Sequence, residues 1–434
     1  MQPAVHQTVS AVWRHESARI VAVVARIVRD IGVAEELAQD ALVSALEHWP
    51  RDGVPDNPGA WLTTAAKRRA LDHLRHQRLA EARHEDIAQD LMALQADIVP
   101  DFVDALDAAR QDEIGDDLLR LIFTACHPVL SAEARAALTL KLLGGLSTQE
   151  IARAYLVAEP TVAQRIVRAK RTLSEARVPF EVPRGEALVE RLSSVLEVIY
   201  LIFNEGYSAT RGDDWMRPAL CHEALRLGRM LAELAPRQPE VLGLLALMEI
   251  QASRSAARTD AEGRPVLLAD QDRCRWDALG IRRGLDALRR AEALAAPPGA
   301  YRLQAAIAAC HARAERAEDT DWARIAALYG QLMQVAPSPV VELNRAVAVA
   351  MHEGPAAGLA IVDGLAGHPA LRQYQWLPSV RGDLLERLGR RAEARVAFEQ
   401  AATLAANARE KALLLQRAQR LADPPARAEP GQGT

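Results

Sequence analysis

The stretch "GLSTQEIARAYLVAEPTVAQRIVRAK", residues 145–170, gathers side chains that can read the edges of nucleic-acid bases. Thr161, Gln164, Arg165 and Arg168 recur at helical spacing and so share one face. Gln164 and Arg165 can pair bidentately with adenine and guanine edges in a major groove, whereas Lys170 and Arg171, farther along, suit phosphates. Ser147 and Glu150 have the spacing of a capping box that opens a first helix. Pro160 fits the first turn of a second, where its missing N–H costs no hydrogen bond. Leu146, Ile151, Val157, Val162 and Ile166 supply a shared apolar seam. The pattern predicts a helix-turn-helix with a basic recognition face, and its alternative is a plain helical hairpin with solvated arginines.

A second cationic group lies upstream in "AWLTTAAKRRALDHLRHQR", residues 60–78. Arg68, Arg69, His73, Arg75, His76 and Arg78 would line a helix suited to the backbone of a separated DNA strand. Asp72 reads as structural, paired with Arg75 or Arg68 on the same helix. Before it, "VAEELAQDALVSALEHWP" is an acidic amphipathic helix that displays Glu35, Glu36, Gln39 and Asp40.

Other chemistry finds little support. The sequence has no G-x-x-x-x-G-K-[ST], G-x-S-x-G or H-E-x-x-H motif, and its carboxylates fall on helix faces or caps, so an enzyme, a cofactor and a metal are not expected. Cys126-His127, Cys221-His222 and Cys310-His311 lie in separate segments, and adjacent helical residues diverge by about 100°, a poor start for one metal site. The four cysteines have no disulfide-framework spacing and read as reduced, buried thiols.

The elements that must hold these residues read as helices. Half of the 434 residues are hydrophobic and only 4% aromatic, with Ala, Leu and Arg recurring, which predicts an all-α chain of two or three domains. A net charge of −4 means that any nucleic-acid site is local and offset by acidic segments. A first helical domain should span 1–83, with Pro55, Pro58 and Gly59 separating its acidic and basic helices. Residues 84–113, dense in Asp and Glu and broken at Pro100, read as an acidic linker, and 114–178 as the helix-turn-helix domain.

Residues 185–422 show helix pairs at intervals that suggest a solenoid. Gly382, Leu385, Gly389, Ala394, Phe398 and Ala401 fall where a tetratricopeptide repeat places its packing residues. Glu262-Gly263 could turn a small hairpin, with Asp270 or Asp272 capping the next helix. Within "NEGY", Asn204–Tyr207 form either a polar turn against a neighbour or a helix stop at Gly206. The tail, 423–434, should be disordered. The N-terminus lacks a secretory pattern and no run is long enough to cross a membrane, so a cytoplasmic protein is expected.

The order of acidic helix, basic Trp-Leu helix, acidic tether and helix-turn-helix resembles the extracytoplasmic-function (ECF) class of bacterial RNA polymerase sigma factors. "VAEELAQDAL" is similar to that family's polymerase-docking helix at Glu35, Glu36, Leu37, Gln39 and Asp40. "WLTTAAKRRALDHLR" is similar to its reader of the minus-ten element at Trp61, Leu62, Ala66, Ala70, Asp72, Leu74 and Arg75, and residues 145–170 resemble its minus-thirty-five reader. Arg68 stands where the family usually has Asn, and Leu156 and Ala158 replace its usual turn Gly and N-cap Ser, changes that bear on promoter preference. In the extension, "VERLSSVLEVIYLIFNEGYSAT", "DQDRCRW", "LQAAIAACHA" and "PSPVVELNRAVAVA" resemble the subgroup whose sigma domains carry a fused tetratricopeptide-like domain.

The resemblance implies core RNA polymerase, at its clamp and flap regions, and promoter DNA as partners, with the extension docking intramolecularly or on a regulatory protein. Two alternatives remain at this point. A conventional helix-turn-helix regulator with a sensing solenoid would bind duplex DNA alone, and a scaffold would use only its solenoid.

Overall fold

The computed structural model describes residues 2–84, 110–155, 157–209 and 215–422. Among them every regular element is a helix, and the single extended contact is an antiparallel bridge between Thr259 and Pro265. This is the all-α class expected from the Ala-rich, aromatic-poor composition. The tail and most of the acidic tether lie outside the described residues. Packing divides the chain into two compact units, Met1–Ile202 and Phe203–Thr434.

In the first unit, α1 (Gln2–Val28), α2 (Ile31–Asp52) and α3 (Pro58–His84) pack on one another. Ala34, Ala38, Ala41 and Ala45 bury one face of α2 without bulk, and Leu62, Ala66 and Ala70 do the same for α3, so their axes can approach closely. Asp30 caps α2, accepting from the Gly32 and Val33 amides at 2.7 and 3.0 Å. Asn57 caps α3 by accepting from the Ala60 amide at 3.1 Å.

Four helices follow: α4 (Arg110–Ala125), α5 (Ala132–Leu142), α6 (Thr148–Tyr155) and α7 (Glu159–Glu175). Leu121, Phe123, Leu138, Leu140, Ile151 and Val162 are buried among them. The next helix, α8 (Glu186–Tyr207), begins in this unit. There Ser194 donates to the Cys126 carbonyl at 2.6 Å, Arg135 donates to Ser194 and reaches Glu197 at 3.0 Å, and Arg191 donates to the Phe123 carbonyl at 2.8 Å.

The second unit continues with α9 (Pro218–Leu234) and α10 (Pro239–Ala252), then α11 (Ala278–Ala293), α12 (Ala300–Arg313), α13 (Trp322–Val335), α14 (Pro339–His352), α15 (Pro355–Leu365), α16 (Trp376–Arg387), α17 (Arg391–Leu404) and α18 (Ala408–Ala422). Consecutive helices contact one another in the manner of a solenoid. Of the tetratricopeptide-like positions, Leu385, Ala394, Phe398 and Ala401 are fully buried and a Cβ at Gly382 would lie 2.9 Å from the Phe398 ring, whereas Gly389 is exposed in the turn between α16 and α17, at a φ of 75°, and packs against nothing.

The array also closes on itself, which nearest-neighbour repeats do not predict. Trp215 Nε1 donates to Glu410 at 3.3 Å, and Asn407 Nδ2 donates to the Ala209 carbonyl at 3.3 Å, so the start of α18 returns to the start of the unit. At that closure Arg258 is 6% exposed, its guanidinium 3.5 Å from the Tyr207 ring centre and 4.3 Å from that of Trp215.

Three local expectations are revised or sharpened. Helix α8 ends at Tyr207, one residue past Gly206, and the glycine also serves close packing: a Cβ there would lie 2.5 Å from the Cys221 amide nitrogen, so its absence admits α9. Asp272 caps only the short 3-10 turn Arg273–Arg275, and Asp277 caps α11. Cys274, on that turn, is exposed, whereas Cys126, Cys221 and Cys310 are buried as expected.

Candidate nucleic-acid interface

The helix-turn-helix forms as its sequence signals predict. Ser147 Oγ accepts from the Glu150 amide at 3.1 Å, and the Glu150 carboxylate accepts from the Ser147 amide at 2.7 Å, which completes the capping box. Pro160 sits in the first turn of α7, and Ile151, Val162 and Ile166 are buried in the seam. Leu146 and Val157 join them half-buried, and the turn residue Leu156 lies outside the described residues.

That packing leaves Thr161, Gln164 and Arg168 exposed on α7, with Arg165 half-buried beside them. These four can approach base edges together. Arg171 is exposed and paired with Glu175 at 2.6 Å, an exposed i,i+4 contact weak enough for a phosphate to replace. Lys170 is engaged differently: its Nζ lies 2.5 Å from Glu35 Oε2.

On α3, Arg68, His73, Arg75, His76 and Arg78 are exposed. Arg75 pairs with Asp72 at 3.1 Å, the structural role expected of that carboxylate. Arg69 is half-buried and donates from Nη2 to Ser44 Oγ at 2.7 Å, which fixes α3 against α2. At the head of α3 the Trp61 ring meets Trp49 edge-on, with centroids 5.5 Å apart, and His48 lies 6.4 Å away. Trp49 is 2% exposed, so this contact anchors the head of α3 in the core of the first unit.

The predicted docking residues divide in the same way. Glu36, Gln39 and Asp40 are exposed on α2, whereas Glu35 is 5% exposed. Glu35 accepts from Gln39 Nε2 at 2.8 Å and pairs with Lys170 and, at 3.7 Å, with Lys141 of α5. No local spacing announced Lys141 or Ser44, because both act across tertiary contacts.

Reactive groups elsewhere are quiet. Burial pushes the Cys126 thiol up to about 11 and the Cys221 thiol up to about 12, so neither is a thiolate near neutrality. Among the described residues no cluster of three His, Cys, Asp or Glu side chains could hold a metal, and no helix is long and apolar enough to cross a membrane.

Residues 12–80 match Sigma-70 region 2, residues 120–173 match Sigma-70 region 4, and residues 191–292 match a family of unknown function, DUF6596. The chain is 45% identical to an uncharacterized protein of Rhizobium meliloti (strain 1021), over 92% of this chain and 93% of that protein. It is 32% identical to the probable ECF RNA polymerase sigma factor SigI of Mycobacterium tuberculosis, over 43% of this chain and 61% of that protein. With the ECF sigma factor SigK of Mycobacterium ulcerans the identity is 29%, over 37% of this chain and 81% of SigK. Two sigma regions in the right order, each built around an exposed cationic helix, and relatives of this kind place the chain in the ECF family of RNA polymerase sigma factors, with an additional C-terminal helical domain.

Proposed function

We propose that this sigma factor docks on the clamp of core RNA polymerase through Glu36, Gln39 and Asp40, and reads promoter DNA at two places. Helix α3 takes the separated strand at the minus-ten element, through Arg68, Arg69, His73, Arg75, His76 and Arg78 on its cationic side. Helix α7 enters the major groove at the minus-thirty-five element, with Thr161, Gln164, Arg165 and Arg168 at base edges and Lys170 and Arg171 at phosphates. The flap region of the polymerase carries the second domain.

One observation supports this reading above the others: a single chain presents two separate cationic helices, α3 and α7, and a conventional regulator has no use for the first. Catalysis belongs to the polymerase, and the protein acts in the cytoplasm, where promoter and enzyme meet. The domain boundaries follow the two sigma segments, with the acidic stretch 84–113 as their tether and the C-terminal helical array as a regulatory domain. It docks on the sigma segments or on a regulatory protein.

Reversing two exposed charges tests the docking role. Glu36→Lys with Asp40→Lys should weaken core-polymerase binding at least tenfold in a titration, while circular dichroism stays unchanged. Undiminished binding removes α2 from the interface.

A further inference from the structure

Six side chains of the second unit alternate ring and cation: Trp215, Arg258, Tyr207, Arg254, Trp276 and Arg273. Arg258 sits over both Trp215 and Tyr207, the Arg254 guanidinium is 5.9 Å from the centres of both Tyr207 and Trp276, and that of Arg273 is 4.6 Å from Trp276. All six fall within residues 191–292, the segment that matches the family of unknown function. The arginines are held by neutral groups. Arg258 Nη1 donates to the Tyr207 carbonyl, Arg254 Nη2 to the Tyr207 hydroxyl at 2.7 Å, and Arg273 Nη1 to the His311 and Ala314 carbonyls at 2.5 and 2.8 Å. Among the described residues none of the three forms an ion pair. The carboxylates whose charge they feel are engaged elsewhere: Glu410 accepts from Trp215 and Gln375, and Asp319 pairs with Arg316 at 3.0 Å.

Burial lowers the pKa of Arg258 and of Arg273, and the charge of Arg254 lowers each further. Cations so placed lack the counter-charge that buried ions need. Three donors are orphaned at the same place: Arg254 Nε, Arg273 Nε and Trp276 Nε1 are buried and meet no acceptor among the described residues. Trp276 is 7% exposed, but Arg254 and Arg273 are half-buried, so the two guanidiniums that share its indole are reached from solvent.

We propose that this ladder is a phosphoryl-binding site, with Arg254, Arg273 and Trp276 Nε1 as its donors and Arg258 as a supporting charge. A phosphoryl group carries about −1.5 to −2 at neutral pH and three acceptor oxygens, which match three orphaned donors and an excess of cations; a carboxylate offers one charge and two oxygens. Ring faces and carbonyls already order the guanidinium forks, so the ligand meets a preformed site. The assignment is independent of the sigma reading and gives the C-terminal array a ligand class. The group arrives on a phosphorylated small molecule or on a phosphorylated peptide laid along the array.

Isothermal titration of the full-length protein, in chloride buffer of fixed ionic strength, tests this with three titrants: inorganic phosphate, a phosphoserine peptide, and the same peptide with Glu in place of phosphoserine. Phosphate and phosphopeptide should both bind, and the Glu peptide at least about tenfold more weakly than the phosphopeptide. A phosphopeptide tighter than phosphate identifies a peptide as the source, and equal affinities identify a small molecule. Arg254→Met should weaken phosphate binding about tenfold or more, and Trp276→Phe, which keeps the ring and deletes the N–H, should weaken it by a smaller factor. Arg282→Met, the loss of an exposed arginine on α11, should leave it unchanged. If circular dichroism shows Arg254→Met unfolded, Arg254→Lys, which keeps the charge and removes the fork, takes its place with the same expected direction. No phosphate binding, or binding that survives substitution of Arg254 and so belongs to the DNA-facing helices, overturns the proposal. A Glu peptide that binds as tightly as the phosphopeptide overturns it too.

Discussion

Arg165 illustrates how much a single position can carry. It shares the outer face of α7 with Gln164 and Arg168, and its guanidinium fork matches the guanine edge. Arg165→Ala should therefore cost about 1–3 kcal/mol of discrimination between cognate and scrambled upstream elements, measured by competition binding of the polymerase complex. A uniform loss across all sequences would reassign Arg165 to phosphate contact. At this scale the sequence was legible wherever the contacts are local. The Ser147–Glu150 capping box and the Asp72–Arg75 pair could be read from spacing three apart. The pairing of Glu35 with Lys141 and of Arg69 with Ser44 could not, because partners brought together by folding leave no periodic trace.

Among the elements, α8 decides where the sigma part of the chain can be cut. Breaks at Pro179 and Pro183 place the boundary before residue 185, yet Arg191, Ser194 and Glu197 bond to Phe123, Cys126 and Arg135 of the first unit. A chain ending at Arg184 leaves those groups without partners, and one ending at Ile202 keeps them. The shorter piece should be less stable by roughly 1.5–3 kcal/mol for each charged hydrogen bond lost, seen as a lower denaturant midpoint. Equal midpoints would make the first half of α8 dispensable. The proline punctuation was real, but it marks a turn inside the unit. Gly206 was ambiguous for a related reason: glycine signals both helix ends and close helix approach, and here α8 ends one residue later while α9 packs against the bare Cα.

The whole molecule carries a buried or half-buried histidine in each unit. His127, desolvated and beside Arg191, is lowered to about 4, and its Nδ1 accepts from the Val129 amide at 3.1 Å. His311 is lowered to about 4 by burial and by Arg254 and Arg273, and its ring meets Trp322 at 5.2 Å. The sign follows from the unfolded chain, whose histidines take up protons near 6.5 while the folded ones stay neutral. Stability should hold above pH 6.5 and fall between 6.5 and about 4, with the decline shared by the two units. Thermal melts from pH 7.5 to 4 check this, and His127→Gln should flatten the part due to the first unit. A pH-independent melting temperature would contradict it.

The all-α class and the order of its parts were legible in composition and motif order. The closure of the C-terminal array through Trp215, Asn407 and Glu410 was not, since those contacts join residues nearly two hundred positions apart.

Run-off transcription with purified core polymerase on a randomised promoter library tests the central claim most directly. The account predicts initiation that depends on this protein and converges on a shared two-part promoter element. Absence of such initiation, together with tight binding of duplex DNA by the protein alone, would contradict it.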